Sequence, residues 1–149
     1  MAHVRTQIRD RVALILLGTA TAGSKVYASR PDNMTPDTMP GICVYTGAEK
    51  ADEEDSTFTA TAKVVDLIID AYAMGDTFDD VADKIQAEVE AKLFADKSNG
   101  RYFNELALNL LYAASDKKYN GDGAYNYGVV RAIYKVKYMT NDGSAETAL

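Results

Sequence analysis

The sequence has little of the chemistry on which most catalytic and metal sites depend. Its 149 residues include one cysteine, one histidine and no tryptophan. A lone cysteine excludes an internal disulfide, and the apolar run around Cys43 favours a small core residue over a nucleophile. The lone histidine, His3, lies at the start of the chain. One histidine in that place does not supply a histidine-centred triad or a structural zinc site. We therefore expect no enzyme activity, no metal and no cofactor.

Long hydrophobic runs and a basic surface are also lacking. No apolar stretch approaches the roughly 20 residues of a membrane-spanning helix, and the opening MAHVRTQIRD has no signal-peptide core. The chain has 16 Lys and Arg against 22 Asp and Glu, a net charge of −6, and its basic residues are scattered. Proteins that grip nucleic-acid backbones carry basic patches. We expect a protein made in the cytoplasm that binds neither membranes nor DNA specifically.

Length and composition fit one folded unit. A chain of 149 residues, 47% of them hydrophobic, can bury a core without disulfide or metal support. We expect a single domain over residues 1–140. The last nine residues, NDGSAETAL, are small and polar, which predicts a flexible C-terminal tail over 141–149.

Two segments have the apolar spacing of amphipathic helices. The first shows a stripe along residues 4–16 and meets Gly18, a residue suited to ending a helix. The second follows Thr77, which forms a capping-box pattern with Asp80. Its stripe is apolar at three- and four-residue spacing, and comprises Phe78, Val81, Ile85, Val89 and Leu93.

Strand patterns occupy much of the remaining chain. Lys25–Ser29, Ile42–Thr46 and Thr57–Tyr72 are predicted strands, and a loop holding all three prolines separates the first two. In the long strand the apolar positions, which begin at Phe58, change from even to odd near Lys63–Val65. Such a change predicts a β-bulge, or a half that is covered on both faces.

The segment from Leu106 to Met139 predicts a hairpin around the turn sequence DKKYNGDG. Its first half also has helix-forming composition, but the alternation favours a strand. A second change of phase at Val129–Val130 predicts another irregularity.

Carboxylates cluster between the second and third predicted strands. Five of the seven residues from Glu49 to Asp55 are acidic, with nothing apolar larger than alanine, which predicts an exposed, mobile loop. Asp66 and Asp70 lie about 13 Å apart along an extended strand, too far for shared acid–base chemistry. We expect them to face water or an interface.

The order of these features resembles the tail terminator family of long-tailed siphophages. The similar motifs are the helix ending IRDRVALILLG, then KVYASRP, MPGICVYTGAE, the helix DTFDDVADKIQAEVEAKL and a closing strand ending YKVKY. The resemblance spans about residues 4–140. It implies an α+β fold, in which two helices pack on a twisted, mainly antiparallel or mixed sheet of about five strands, similar to a tail-tube subunit.

The resemblance also implies a function and partners. Such proteins form homohexameric rings at the head-proximal end of the tail in the virion. The ring caps the tail-tube protein, stops polymerisation and offers a surface to a head–tail connector protein, while DNA passes through unbound. No docking residue is carried over from the family.

Two groups of residues are the candidate contacts of such a ring. One is a candidate inter-subunit or lumen-facing loop, comprising Glu49, Asp52, Glu53, Glu54 and Asp55. The other is a candidate hairpin-tip contact, comprising Lys117, Lys118 and Tyr119. The alternatives are another connector or tail-tube subunit, and a small α+β ligand-binding protein or enzyme with a pocket between sheet and helices.

Overall fold

A computed structural model describes residues 2–28, 35–120 and 126–149. The helices are α1 (Val4–Leu16) and α2 (Phe78–Ala95). The strands are β1 (Val26–Tyr27), β2 (Gly41–Asp52), β3 (Ala60–Met74), β4 (Lys97–Ser98), β5 (Arg101–Tyr102), β6 (Asn109–Asn120) and β7 (Tyr127–Asn141). In these residues no helix combines the length and apolar character needed to cross a membrane.

Five strands form the main sheet, in the order β1-β2-β3-β7-β6. β1 runs parallel to β2, and the other neighbours are antiparallel. The predicted α+β fold, with two helices and a mixed five-stranded sheet, is confirmed. The short β4–β5 hairpin forms a separate two-stranded sheet that the sequence patterns did not predict.

Both helices pack on one face of the sheet, which we call the helix face. α1 buries four residues of the predicted stripe, Val4, Ile8, Val12 and Leu16, and its fifth residue, Ile15, is half-buried against the same core. The chain leaves this helix through Gly18, whose φ of 83° is a conformation that glycine adopts with little strain. The helix stripe and its glycine stop are therefore confirmed.

α2 covers the centre of the sheet with the side chains of Ala82, Ile85, Val89 and Leu93. It begins after Thr77 as predicted, but the Thr77 side chain makes no capping hydrogen bond, so the capping box is wrong. Gln86 ties the helix to the sheet, because its Nε2 donates to the carbonyls of Ile69 at 2.9 Å and Val130 at 2.7 Å.

The strand irregularities lie in the outer strands and not in the central pair. β3 and β7 pair without a break from Ala60↔Asn141 to Met74↔Tyr127. The first bulge is in β2, where the register shifts between Thr46 and Glu49. It faces the predicted place near Lys63–Val65, but the extra residue belongs to the neighbouring strand.

The second predicted irregularity, at Val129–Val130, is wrong. β7 is regular there, and the register shift lies in β6, between Tyr112 and Ala114. Val129 is apolar because it packs, on the face opposite the helices, against a small cluster of Met39, Cys43 and Tyr72. The burial of Val129 on this second face, and not a bulge in β7, therefore accounts for the apolar pattern that resembles a change of phase.

The C-terminal segment returns to the body of the protein. Ala145 accepts a hydrogen bond from the Val4 amide at 2.9 Å, and the Leu149 amide donates to the Met139 carbonyl at 2.8 Å. Composition predicted a flexible tail over 141–149 because it shows no anchor, yet the backbone supplies several. The predicted strand end Ser29, the loop residues 30–34 and the hairpin turn at 121–125 lie outside the described residues.

Candidate interaction surfaces

The acidic segment is mostly strand and not loop. Glu49 and Asp52 belong to β2, which runs to Asp52, and only Glu53, Glu54 and Asp55 form a turn before β3. The prediction of a loop over Glu49–Asp55 is therefore wrong in its first half. The bulge explains this, since it lets β2 continue pairing with β3 from Glu49 onward.

Glu49 lies on the helix face, where it links α1 to the sheet. Its carboxylate accepts a hydrogen bond from Arg5 Nη1 at 3.1 Å and another from the Tyr138 hydroxyl. Burial raises the pKa of Tyr138, and the hydrogen bond to Glu49 raises it further. Glu49 is thus engaged within the subunit, which removes the basis for expecting this end of the segment to be mobile.

The turn after β2 is held by a lysine of β7. Lys137 Nζ lies 3.0 Å from Asp52 Oδ2 and also binds the Asp55 carboxylate. Ser56 Oγ donates to the Asp52 carbonyl at 2.6 Å and accepts from the Ala62 amide at 3.0 Å. These contacts fix the turn on the strand ends and leave Glu53 and Glu54 exposed.

Phe58 lies at this same end of the sheet, in the turn that precedes β3, and its side chain is fully exposed. The sequence pattern predicted that it faces the core as the first residue of an even-numbered set. That prediction is wrong, because β3 begins two residues later and its helix-face residues are odd-numbered throughout.

The candidate hairpin-tip contact lies at the end of the sheet opposite the acidic turn. Lys117 Nζ is 2.9 Å from Asp83 Oδ2, and this hydrogen bond raises the pKa of Lys117. The Tyr119 ring stacks on Phe78 with centroids 5.2 Å apart. Both are therefore tied to the start of α2, while Lys118 is exposed.

Two strand edges are open on opposite sides of the main sheet. β6 is an edge strand of 12 residues, and its side chains are exposed from Leu111 to Tyr119. On the other side, β1 pairs with β2 only at Ile42 and Cys43. No strand among the described residues covers the outer edge of β2 beyond that point. Open edges of this kind are templates for pairing with another chain.

The face opposite the helices carries a buried ion pair. Asp70 has no exposed surface, and its carboxylate accepts from Arg131 Nε at 2.9 Å and Nη2 at 3.2 Å. The Tyr45 hydroxyl donates to the same carboxylate at 2.9 Å. The expectation that Asp70 faces water or an interface is wrong, while Asp66 pairs with Lys135, whose side chain is more exposed than that of Arg131.

The described residues do not assemble a recognisable catalytic or metal centre. They contain no group of three or more His, Cys, Asp and Glu side chains placed around one point. Cys43 is buried, as predicted for a core residue. A groove of about 400 Å³ between α2 and the β6–β7 hairpin is lined by Asp83, Glu90 and Tyr134 among others.

Comparisons with known proteins give one informative result. No family model matches the chain, and no curated protein matches it. Among solved structures, the chain is similar to one described as "Virion of native gene transfer agent (GTA) particle", with a TM-score of 0.53 and 18% sequence identity. The similarity covers 93% of this chain and 92% of that chain. At this identity it shows a shared fold over nearly the whole length of both.

Proposed function

We propose that this chain is a structural protein of a phage-like virion, and that it acts as a tail terminator. Six copies form a ring that caps the tail tube, stops its polymerisation and offers a surface for head joining. The observation that carries the proposal is the fold shared, over 93% of this chain, with a chain from a virion particle.

The two open strand edges support ring formation. One copy's β6 edge and the next copy's β2 edge lie on opposite sides of the sheet, so each copy has two different surfaces to pair. A head-to-tail contact of this kind closes into a ring when the rotation between neighbouring copies divides a full turn into a whole number of steps. Exposed apolar side chains on β6, Leu111 and Tyr112, add contact area at that edge.

The acidic balance of the chain supports a role around DNA without DNA binding. A net charge of −6 per copy makes a ring that repels phosphates, as a channel for a genome requires. This fits the proposal that DNA passes through without specific contacts.

The test is termination itself. The purified chain is added to tubes that are growing from the tail-tube protein of the same particle, and tube lengths are measured by electron microscopy. We expect elongation to stop at one end, with about six copies bound per tube. Leu111→Lys, which places a charge on the β6 edge, should remain a folded monomer and should not terminate growth.

A tail-tube subunit is the second candidate, because the same open edges would serve a ring in a tube. Incubated alone at high concentration, a terminator should stop at single closed rings, whereas a tube subunit should form long polymers. Continued tube growth at saturating protein would contradict termination.

A further inference from the structure

The groove between α2 and the β6–β7 hairpin opens at the free edge of β6. Tyr112 and Ser115 of β6 line it together with Gln86 and Glu90 of α2. β6 is the last strand of the main sheet, and no further strand among the described residues closes this side of the groove. A second copy that pairs with the β6 edge would therefore hold its own side chains against the groove.

Two oxygen acceptors in this groove have no partner within the described residues. The Gln86 side chain is fixed by the two carbonyls that its Nε2 binds, and its Oε1 is buried without a hydrogen bond. Glu90 is exposed and forms no ion pair in the described part of the chain. Asp83, the other carboxylate of the groove, already pairs with Lys117. The groove therefore offers an unpaired charge and an unpaired amide oxygen to a hydrogen-bond donor.

Aromatic rings form the strand side of the same groove. Tyr112 is half-exposed, and its ring meets the Tyr134 ring edge-on with centroids 5.5 Å apart. A guanidinium carries its donors in one plane and stacks on aromatic rings, so it fits a site that joins a carboxylate, an amide oxygen and an exposed ring. The chemistry of the groove thus indicates an arginine side chain.

The opposite side of the subunit carries an arginine that matches this groove. Ala13 of α1 lines a shallow groove with Val26 and Ala28, so this flank of the helix faces the outer edge of the sheet, where β1 lies. Arg9 lies four residues earlier and therefore on the same flank. Its one ion pair in the described residues is with the adjacent Asp10, and its side chain remains 31% exposed. An exposed pair of this kind contributes little stability, so Arg9 can exchange it at small cost.

The sheet register places Arg9 and the groove at about the same height. One row of paired residues crosses the sheet from the open edge of β2 to the groove, and comprises Thr46, Leu67, Tyr134 and Tyr112. Arg5 is bonded to Glu49, whose row lies about 7 Å nearer the turn after β2. α1 runs from there toward β1, so Arg9, one helical turn further on, lies about 6 Å along the helix and close to the level of this row.

Pairing of the open edges would bring the two features together. β2 and β6 run in opposite directions within the sheet. Antiparallel pairing of β6 with β2 of the next copy therefore keeps both copies in the same orientation and both helix faces on one side. Arg9 of the next copy then lies beside the groove, and the charges of the two surfaces are complementary.

We propose that in the ring the groove of each copy binds Arg9 of the next copy. The guanidinium pairs with the Glu90 carboxylate, donates to Gln86 Oε1 and lies against the Tyr112 ring. This inference rests on the proposed ring and deepens it, because it names the side chains that decide which edge meets which. The contact is head-to-tail, since the groove and the arginine lie on opposite sides of the subunit.

Two charge-reversed variants test the contact as a mixture. Arg9→Glu sets two carboxylates against each other at every contact, and Glu90→Arg sets two guanidinium groups together, so neither variant alone should form rings. In an equimolar mixture the two variants can alternate around a ring of six, and every contact then joins opposite charges. We expect the mixture to form rings. Sedimentation and electron microscopy measure this at the salt concentration at which wild-type rings form.

The size of the effect is read from the protein concentration at which half of the chains are in rings. Each variant alone should raise it by at least about 10-fold, and the mixture should return it close to the wild-type value. Lys84→Glu is the matched control, because it makes the same change in net charge as Arg9→Glu at an exposed position of α2 outside the groove. It should leave assembly close to that of the wild-type protein. Thermal melts should show that all three variants fold, since none of the replaced side chains is buried.

The outcomes separate this inference from the proposed function. Rings from either charge-reversed variant alone, or a mixture that stays monomeric while the wild-type protein forms rings, would overturn the inference and leave the function standing. If a charge-reversed variant fails to fold, Arg9→Gln and Glu90→Gln take their place in a double-mutant cycle of assembly, and additive losses would overturn the inference. A wild-type protein that forms no closed ring would overturn the proposed function, and this inference with it.

Discussion

Replacement of Arg131 by methionine should destabilise the subunit more than any change to an exposed ion pair. Asp70 is completely buried and takes two of its hydrogen bonds from Arg131. Methionine fills similar volume but leaves the carboxylate with only the hydroxyls of Tyr45, at 2.9 Å, and Tyr72, at 3.5 Å. Removing one partner of a buried pair typically costs about 3 kcal/mol or more, since an uncompensated charge remains.

Replacing Asp70 by asparagine should cost less stability than replacing Arg131 by methionine. The Arg131 side chain is 30% exposed, so its charge can still reach water in Asp70→Asn. We expect that variant to lose about 1 kcal/mol, the net value of an ordinary hydrogen bond. The double variant, Arg131→Met with Asp70→Asn, leaves no buried charge unpaired. Its loss of stability should therefore be smaller than the sum of the two single losses by about 2 kcal/mol.

Urea denaturation of the monomer at pH 7 measures these differences. With a slope of about 2 kcal/mol per molar urea, Arg131→Met should lower the midpoint by roughly 1.5 M. Lys135→Met is the matched control on the same strand and face. It breaks a more exposed pair with Asp66 and should cost less than about 1 kcal/mol. Two outcomes would refute the reasoning. One is an equal loss in the free energy of unfolding for Arg131→Met and Asp70→Asn, and the other is a loss in the double variant equal to the sum of the two.

Three further outcomes are expected. Gly128→Ala should cost about 1–3 kcal/mol in urea denaturation, because the new Cβ would lie 2.0 Å from Phe78 Cδ2. Stability should fall as the pH drops below 6.5 in thermal melts, because burial and Arg5 lower the pKa of His3, whose neutral ring caps α1. Sedimentation should show monomers at low salt and closed hexamers at high salt, since screening weakens repulsion between acidic copies.

Each of these has its control. Truncating Phe78 to leucine should relieve much of the Gly128→Ala loss, and an unchanged loss would exclude the clash as its cause. His3→Asn keeps a capping side chain that does not titrate, so its melting temperature should depend less on pH just below pH 6.5. Open filaments at high salt would contradict the closed ring.

The sequence predicted the helices well because their cause is local. The stripe of α1 and its stop at Gly18 follow from spacing that any window of the chain displays. The strands were harder, since which face of a strand is covered depends on distant residues. Val129 is apolar because Met39 and Tyr72 cover it, and the sequence alone does not show that contact.

The candidate surfaces were predicted only in part, for the same reason. The acidic composition marked the right region of the chain, but it could not reveal that Arg5 and Tyr138 bind Glu49 or that Lys137 holds the turn. Phe58 was assigned to the core from its alternation with neighbours. The available signal was its place beside a run of carboxylates, which is unusual for the first residue of a buried strand.

The bulge in β2 has a consequence for how this chain tolerates changes of length. Between Thr46 and Glu49 the strand has one residue more than its partner, so the half beyond it is turned by one position. Deleting Ala48 would remove the extra residue and leave Glu49 opposite Val65, so Glu49 would still face Arg5. Deleting one residue from the regular part of the strand, between Gly41 and Thr46, would instead move the side chains on one side of the deletion to the other face of the sheet. The bulge is therefore the place where β2 can lose a single residue and keep each side chain on its face.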